Sequence, residues 1–323
     1  MLQKLNKFLE KIMPILTPIS VITGVFLSAY LEDFTYLIPW IFAFMTFAGS
    51  LGSNFRSLKD VAAHPFPIVM AMLILHVFMP IWAWGVGHVA FPGDIYTITG
   101  LILVMVIPTG ITSFIWVSIY KGNIPMVLSI ILIDTLLSPV IVPFSISFFV
   151  GQTIEMDYLD LMKGLLLMVV IPSILAMLLN QLTKGNIHQQ WGPRLAPFSK
   201  MGVGVVVMLN GAIISPYIKD FNLKLMGIMS VVFFIAMTGY IFSFLFGRFM
   251  IKDWDNLVTV TFSAGMRNIS AGAVIGVTYF PASVAVPVVI GMLFQQTLAS
   301  LSGHFLAWYH HKKSSGQDDF FAA

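Results

Sequence analysis

Ten stretches of this chain stay apolar for long enough to cross a lipid bilayer: 13–31, 36–53, 65–90, 97–120, 124–149, 161–182, 196–217, 224–247, 256–279 and 283–309. A span needs about 20 such residues, and inside hydrocarbon it must satisfy its own backbone donors and acceptors. That predicts an all-α polytopic membrane protein with ten transmembrane helices. The connections are too short to hold a soluble domain. Composition agrees: only 10% of the residues are charged and the mean hydropathy is +0.91. Ordinary soluble domains carry about 25% charged residues, so soluble enzymes, nucleic-acid-binding proteins and disordered chains are excluded. The chain has no cysteine, which removes thiol nucleophiles, disulfides and cysteine metal sites.

Residues 1–12 set Leu2, Leu5, Leu9 and Ile12 at helical spacing with Lys4, Lys7 and Lys11 between them. This predicts an interfacial helix leading into the first span rather than a cleaved signal. Counting Lys and Arg on alternating sides of ten spans puts thirteen on the side of the N-terminus, Arg56 and Lys59 among them. The other side receives three: Lys163, Lys219 and Lys224. Basic residues gather on the cytoplasmic face, so both termini are expected there, in a multi-pass protein of the cell membrane with a cytoplasmic tail over 310–323.

One base and one acid remain at mid-membrane depth, Arg267 in span nine and Asp134 in span five. Each such residue costs about 2.5 to 3.5 kcal/mol on insertion scales, so the two are expected to pair in the protein interior. Span four is interrupted near its centre by Pro108-Thr109-Gly110, followed by Ile111-Thr112-Ser113. Span nine is interrupted by the segment from Ser263 to Gly272. Proline removes a backbone donor and glycine loosens a helix, so both spans are predicted to break at mid-membrane. The breaks fall on the fourth span of each five-span half. An odd number of spans per half requires the second to be inverted, and paired broken helices in two inverted five-helix repeats point to a transporter site.

The Pro108-Thr109-Gly110 break, then Tyr120-Lys121-Gly122-Asn123, Leu137-Ser138-Pro139 and Gly265-Met266-Arg267-Asn268, in this order, resemble the bile acid:sodium symporter family. The resemblance covers essentially the whole chain. It implies a panel domain of spans one, two, six and seven (13–60 and 161–220). It also implies a core domain of spans three to five and eight to ten (61–150 and 221–309), in which broken spans four and nine cross. Family members move organic anions, from bile acids to small carboxylates such as pantoate, usually with sodium and by alternating access.

The same alignment implies site residues. Substrate contacts fall on Thr109, Gly110, Thr112 and Ser113 of span four, Asn268 and Ser270 of span nine, and Gln295 and Gln296 of span ten. The family's sodium ligands do not carry over. Its span-four Ser-Asn pair is Ser113-Phe114 here, and its two span-five hydroxyls are Val127 and Ile131. Its shared glutamate is Ser263 and its glutamine is Arg267. A guanidinium offers only N–H donors and a repelling charge, so no metal site is assigned and conventional two-sodium coupling is not expected. Arg267 is expected to supply the missing positive charge, with Asp134 as counter-charge. In the alternative, coupling is to sodium or to protons, with Asp134 protonating. His76 in span three lies beside the family's glutamine ligand position and is a candidate proton relay.

No ATP-binding loop, metal-ligand pair or nucleophile-base arrangement is found at membrane depth, which argues against an enzyme and leaves no cofactor implied. A channel or membrane sensor is the remaining rival. The expected partners are a small organic anion and the bilayer, with the chain a monomer or a weak homo-oligomer. Asn210 and Gly211 lie at panel depth, and Trp82, Trp84 and Trp308 are expected as interfacial aromatics.

Overall fold

The computed structural model describes residues 2–53, 55, 65–151, 157–219 and 222–321. Twelve principal helices carry these residues, and no strand occurs among them. They are α1 (Leu2–Phe26), α2 (Ile38–Ser50), α3 (Pro65–Ala90), α4 (Ile95–Val106), α5 (Ser113–Ile119) and α6 (Ile124–Val150). There follow α7 (Tyr158–Leu182), α8 (Asn186–Ile218), α9 (Leu223–Met250), α10 (Trp254–Gly265), α11 (Ile269–Tyr279) and α12 (Ala282–Phe321).

The helices begin and bend where the sequence supplies a chemical reason. Asp94, Asn123, Asp157, Asn222 and Asn268 each accept a backbone N–H in the first turn that follows, capping α4, α6, α7, α9 and α11. Inside α6, Pro139 cannot close the bond to the carbonyl of Thr135, and the Ser138 hydroxyl donates to that carbonyl at 2.8 Å instead. Two wide π-turns, 74–78 in α3 and 166–170 in α7, each lie just before a proline, Pro80 and Pro172. A proline that cannot bond four residues back favours such a local widening. The first of these turns carries His76.

Among the described residues, six helices are long and apolar enough to cross a membrane unbroken: α3, α6, α7, α8, α9 and the stretch Ala282–Lys312. A seventh crossing is possible where two helical pieces, Ile15–Phe26 and Ser28–Ser50, meet at 89°. The expected spans 97–120 and 256–279 are not continuous helices, because α4 gives way to α5 across 107–112 and α10 to α11 across 266–268. The outer surface suits lipid rather than water, with Phe26, Trp40, Phe148 and Phe249 all largely exposed. This is a multi-pass membrane protein.

Packing divides unevenly among the helices. α1 lies along α8, which also packs on α2, and α2 packs on α7. Small residues permit the α1–α8 approach: an added Cβ at Gly24 would lie 2.0 Å from the carbonyl oxygen of Met208. Ser215 donates to the carbonyl of Val25 at 3.0 Å along the same seam. In the other group, α4 packs on α3, α6 and α12, α9 on α10 and α12, and α11 on α12. α6 meets α7, and α8 meets α11 and α12, where the groups touch.

Residues 2–12 begin α1, which runs unbroken to Phe26. The tail from 310 begins as a continuation of α12, which extends to Phe321. The Trp82 ring packs on Phe234 and Phe242 of α9 and its N–H donates to Thr238 at 3.0 Å. Arg56, Lys59 and the expected 60/61 domain boundary lie outside the described residues.

Candidate functional site

The breaks of α4–α5 and α10–α11 lie against each other. The Asn268 N–H donates to the carbonyl of Pro108 at 2.8 Å, and the Thr109 hydroxyl donates to the carbonyl of Ser263 at 2.6 Å. Gly110 comes so close that a Cβ there would sit 2.9 Å from the carbonyl oxygen of Arg267. Helix breaks normally expose unpaired carbonyls and amides, which is intolerable in hydrocarbon unless another segment supplies partners. Here each break supplies them to the other.

Arg267 lies at this contact, 2% exposed. Its Nε donates to the carbonyl of Met105 at 3.1 Å, in the last turn of α4. Its Nη1 donates to the carbonyls of Ala264 at 2.7 Å and Met266 at 3.1 Å, at the end of α10. The guanidinium therefore bridges the carbonyl ends of two half-helices, each equivalent to about half a negative charge. The Arg267 backbone N–H reaches Gln295 of α12 at 3.3 Å.

Asp134 is completely buried on α6. One carboxylate oxygen accepts the Thr109 backbone N–H at 2.6 Å and the other lies 2.6 Å from Nε2 of His76. The expected direct pair with Arg267 is therefore not formed. The carboxylate is engaged by an amide and an imidazole, and the guanidinium by carbonyls, so the two charges act on each other through space without touching. His76, expected as a possible relay, is the direct partner of Asp134 instead.

The remaining candidates divide by position. Ser113 is buried, its hydroxyl without a partner among the described residues, and its N–H donates to the carbonyl of Gly110 at 2.9 Å. Thr112 precedes α5 and is half-buried. Asn268 caps α11 through the Ala271 N–H at 3.2 Å, and Ser270 sits half-buried in that first turn. Gln296 is exposed and turned toward α5, where it accepts the Trp116 indole N–H at 3.2 Å. Ser263 is fully buried, and its hydroxyl has no partner among the described residues.

At the expected sodium-ligand positions Val127 is fully buried and Ile131 nearly so, neither with an oxygen to offer. No group of three or more His, Cys, Asp or Glu residues able to hold a metal ion occurs among the described residues. Two features of the site escaped the sequence reading. One is Tyr240 of α9, whose ring lies against Gly265 and whose buried hydroxyl has no partner among the described residues. A lone tyrosine at mid-span was the available signal. The other is the set of three backbone carbonyls around Arg267, which no residue type announces.

Residues 39–244 match the model of the Sodium Bile acid symporter family. The Bacillus subtilis (strain 168) protein YbaS is 53% identical over 294 residues, 91% of this chain and 96% of its own length. YocS from the same organism, described as a sodium-dependent transporter, is 25% identical over 87% of each chain. The chloroplastic protein BASS1 of Arabidopsis thaliana, described as a probable sodium/metabolite cotransporter, is 24% identical over 76% of this chain and 60% of its own. A family match over more than half the sequence, a relative this similar over nearly full length, and two helix breaks joined inside an apolar bundle lead to one conclusion: the chain belongs to the sodium bile acid symporter family, whose members are secondary transporters and not enzymes.

Proposed function

We propose that the protein carries an organic anion, bile-acid-like or a small carboxylate such as pantoate, by alternating access, with Arg267 standing where relatives use sodium. The chain crosses the membrane ten times in this reading. The bent pair α1 and α2 counts as two spans and each broken pair, α4–α5 and α10–α11, as one. The halves are inverted repeats with both termini cytoplasmic. The group α1, α2, α7 and α8 is the panel, and the group built on α3 to α6 and α9 to α12 is the core that moves against it.

The observation that carries the reading is the guanidinium between the carbonyls of Met105, Ala264 and Met266. Carbonyls at the C-terminal ends of broken transporter helices are ligands for small cations. A permanently charged side chain already hydrogen-bonded to them supplies the positive charge without an ion. The loss of side-chain oxygens at Val127 and Ile131 fits the same substitution. Thr112, Ser113, Asn268, Ser270 and Gln295, each bonded or adjacent to the crossing, are the proposed substrate contacts, with Gln296 at their edge.

Uptake of labelled taurocholate and pantoate into proteoliposomes tests this. The expected result is saturable uptake with counterflow that persists when sodium is replaced by potassium. A strict requirement for a sodium gradient, unaffected by pH, would overturn the replacement of sodium by Arg267. Uptake without saturation or counterflow would favour a channel.

A further inference from the structure

We propose that His76 is a proton-binding site, and that the proton it takes on Nδ1 crosses the membrane with the organic anion as the coupling ion. The inference rests on reading the crossing as the transport site, and it moves the titrating group from Asp134 to its imidazole partner.

Three observations carry it. His76 lies in the π-turn of α3, a wide turn of the kind that recurs at functional positions, and its side chain is only 8% exposed. Its Nε2 is 2.6 Å from one oxygen of Asp134, whose other oxygen already accepts the Thr109 N–H. The histidine and aspartate therefore hold one proton between Nε2 and Oδ1. The second ring nitrogen, Nδ1, is buried and has no hydrogen-bond partner among the described residues. The carboxylate on one side fixes the orientation of the imidazole through Nε2 and leaves Nδ1 as the nitrogen open to a second proton.

The surrounding charges make this nitrogen a coupling site rather than a spare one. Of the elements packed against α3, α6 contributes Asp134, α9 contributes Tyr240, the break after α10 contributes Arg267, and α4 contributes no titratable side chain at this depth. Asp134 and Arg267 cancel, so the centre is neutral while His76 is neutral. A proton on Nδ1 leaves it with one positive charge in a low-dielectric interior, where an unbalanced charge is costly. An organic monoanion removes that cost, so proton and anion favour each other's binding. The link to the moving parts is direct, because Asp134 holds the backbone of the α4 break through Thr109.

Two measurements test this on the wild-type protein. The first is histidine-selective 15N NMR in lipid nanodiscs between about pH 5 and pH 9. The His76 signals, assigned by their disappearance in His76→Gln, should titrate at Nδ1, and the midpoint should move in Asp134→Asn. A ring that stays in one protonation state across the range overturns the proposal whatever the transport assays give. The second imposes a pH difference of about 1 unit, acid outside, on proteoliposomes with labelled pantoate or taurocholate. One proton per monoanion predicts accumulation of about tenfold without sodium. Saturable uptake indifferent to the gradient refutes proton coupling and leaves the organic-anion reading standing. No uptake of either probe counts against that reading's substrate class, while the NMR titration still decides on His76.

Discussion

Replacing Arg267 measures how much of the crossing depends on its tethered charge. In Arg267→Met three carbonyl oxygens lose a donor: Met105 in the last turn of α4 and Ala264 and Met266 at the end of α10. A buried acceptor left without a partner costs about 1 to 3 kcal/mol, so three such losses would sum to roughly 3 to 9 kcal/mol before relaxation. Relief of the guanidinium's own desolvation and small helix movements offset part of that. Removing one charge from a buried arrangement typically costs about 3 to 5 kcal/mol net, and Asp134 would be left here without its counter-charge.

Arg267→Gln keeps an amide that can serve two of the three carbonyls, so a loss of about 1 to 3 kcal/mol is expected. Without the fixed positive charge, a sodium ion becomes an acceptable partner for the same oxygens. Stabilisation by bound ligand follows RT ln(1 + [L]/Kd), about 1.4 kcal/mol at roughly ten times Kd. The assay is thermal unfolding of purified protein in detergent or nanodiscs, in sodium against potassium, for wild type, Arg267→Gln and Arg267→Met. The expected pattern is no sodium response in wild type, the order wild type above Gln above Met, and a sodium-specific upward shift only in Gln. If Arg267→Gln were as stable as wild type and indifferent to sodium, the idea of a cation-replacing arginine would fail.

Three further substitutions probe different parts of the molecule. Gly110→Ala puts a Cβ 2.9 Å from the backbone oxygen of Arg267, which cannot rotate away; uptake should fall severalfold and unfolding come earlier by about 1 to 3 kcal/mol, whereas unchanged uptake would mean the breaks need not stay in contact. Gly24→Ala meets the Met208 oxygen at 2.0 Å and should separate α1 from α8, read as reduced stability and faster proteolysis; a neutral result would count against close α1–α8 packing. At the start of α4, burial pushes the Asp94 carboxyl up, but Lys224 at 2.7 Å and the Thr97 hydrogen bonds outweigh it and hold the group below the ordinary carboxylate range. A lowered folded value means stability present above about pH 4 and lost as pH falls further. With Lys224 60% exposed, the ion pair itself is worth less than about 1 kcal/mol. Asp94→Asn should therefore flatten only the acid limb of the stability profile, and an effect at neutral pH larger than that would point to another role.

Much of the architecture was legible because it rests on features carried by single residues. Hydrophobic runs announce helices, Pro108 and Gly110 announce a break, and the Ser263–Gly272 segment announces its counterpart. Asn123 and Asn268 announce the helices they cap. Charge arithmetic correctly singled out Arg267 and Asp134 as interior groups but joined them wrongly. It balanced side chains against side chains, while an arginine can equally be satisfied by carbonyls, and a carboxylate by an amide and an imidazole. His76 was visible, yet nothing in a linear sequence sets the turn of α3 against the middle of α6.

What the sequence alone determined is the solvent and the class: an apolar, nearly charge-free chain must live in a bilayer, and its ordered short motifs belong to one transporter family. The tertiary structure decided who holds whom at the crossing. Backbone carbonyls and amides are the same at every residue and carry no signature in the sequence. Only the fold determines that the ends of α4 and α10 turn three of them onto Arg267, or that the amide of Thr109 meets Asp134 opposite His76.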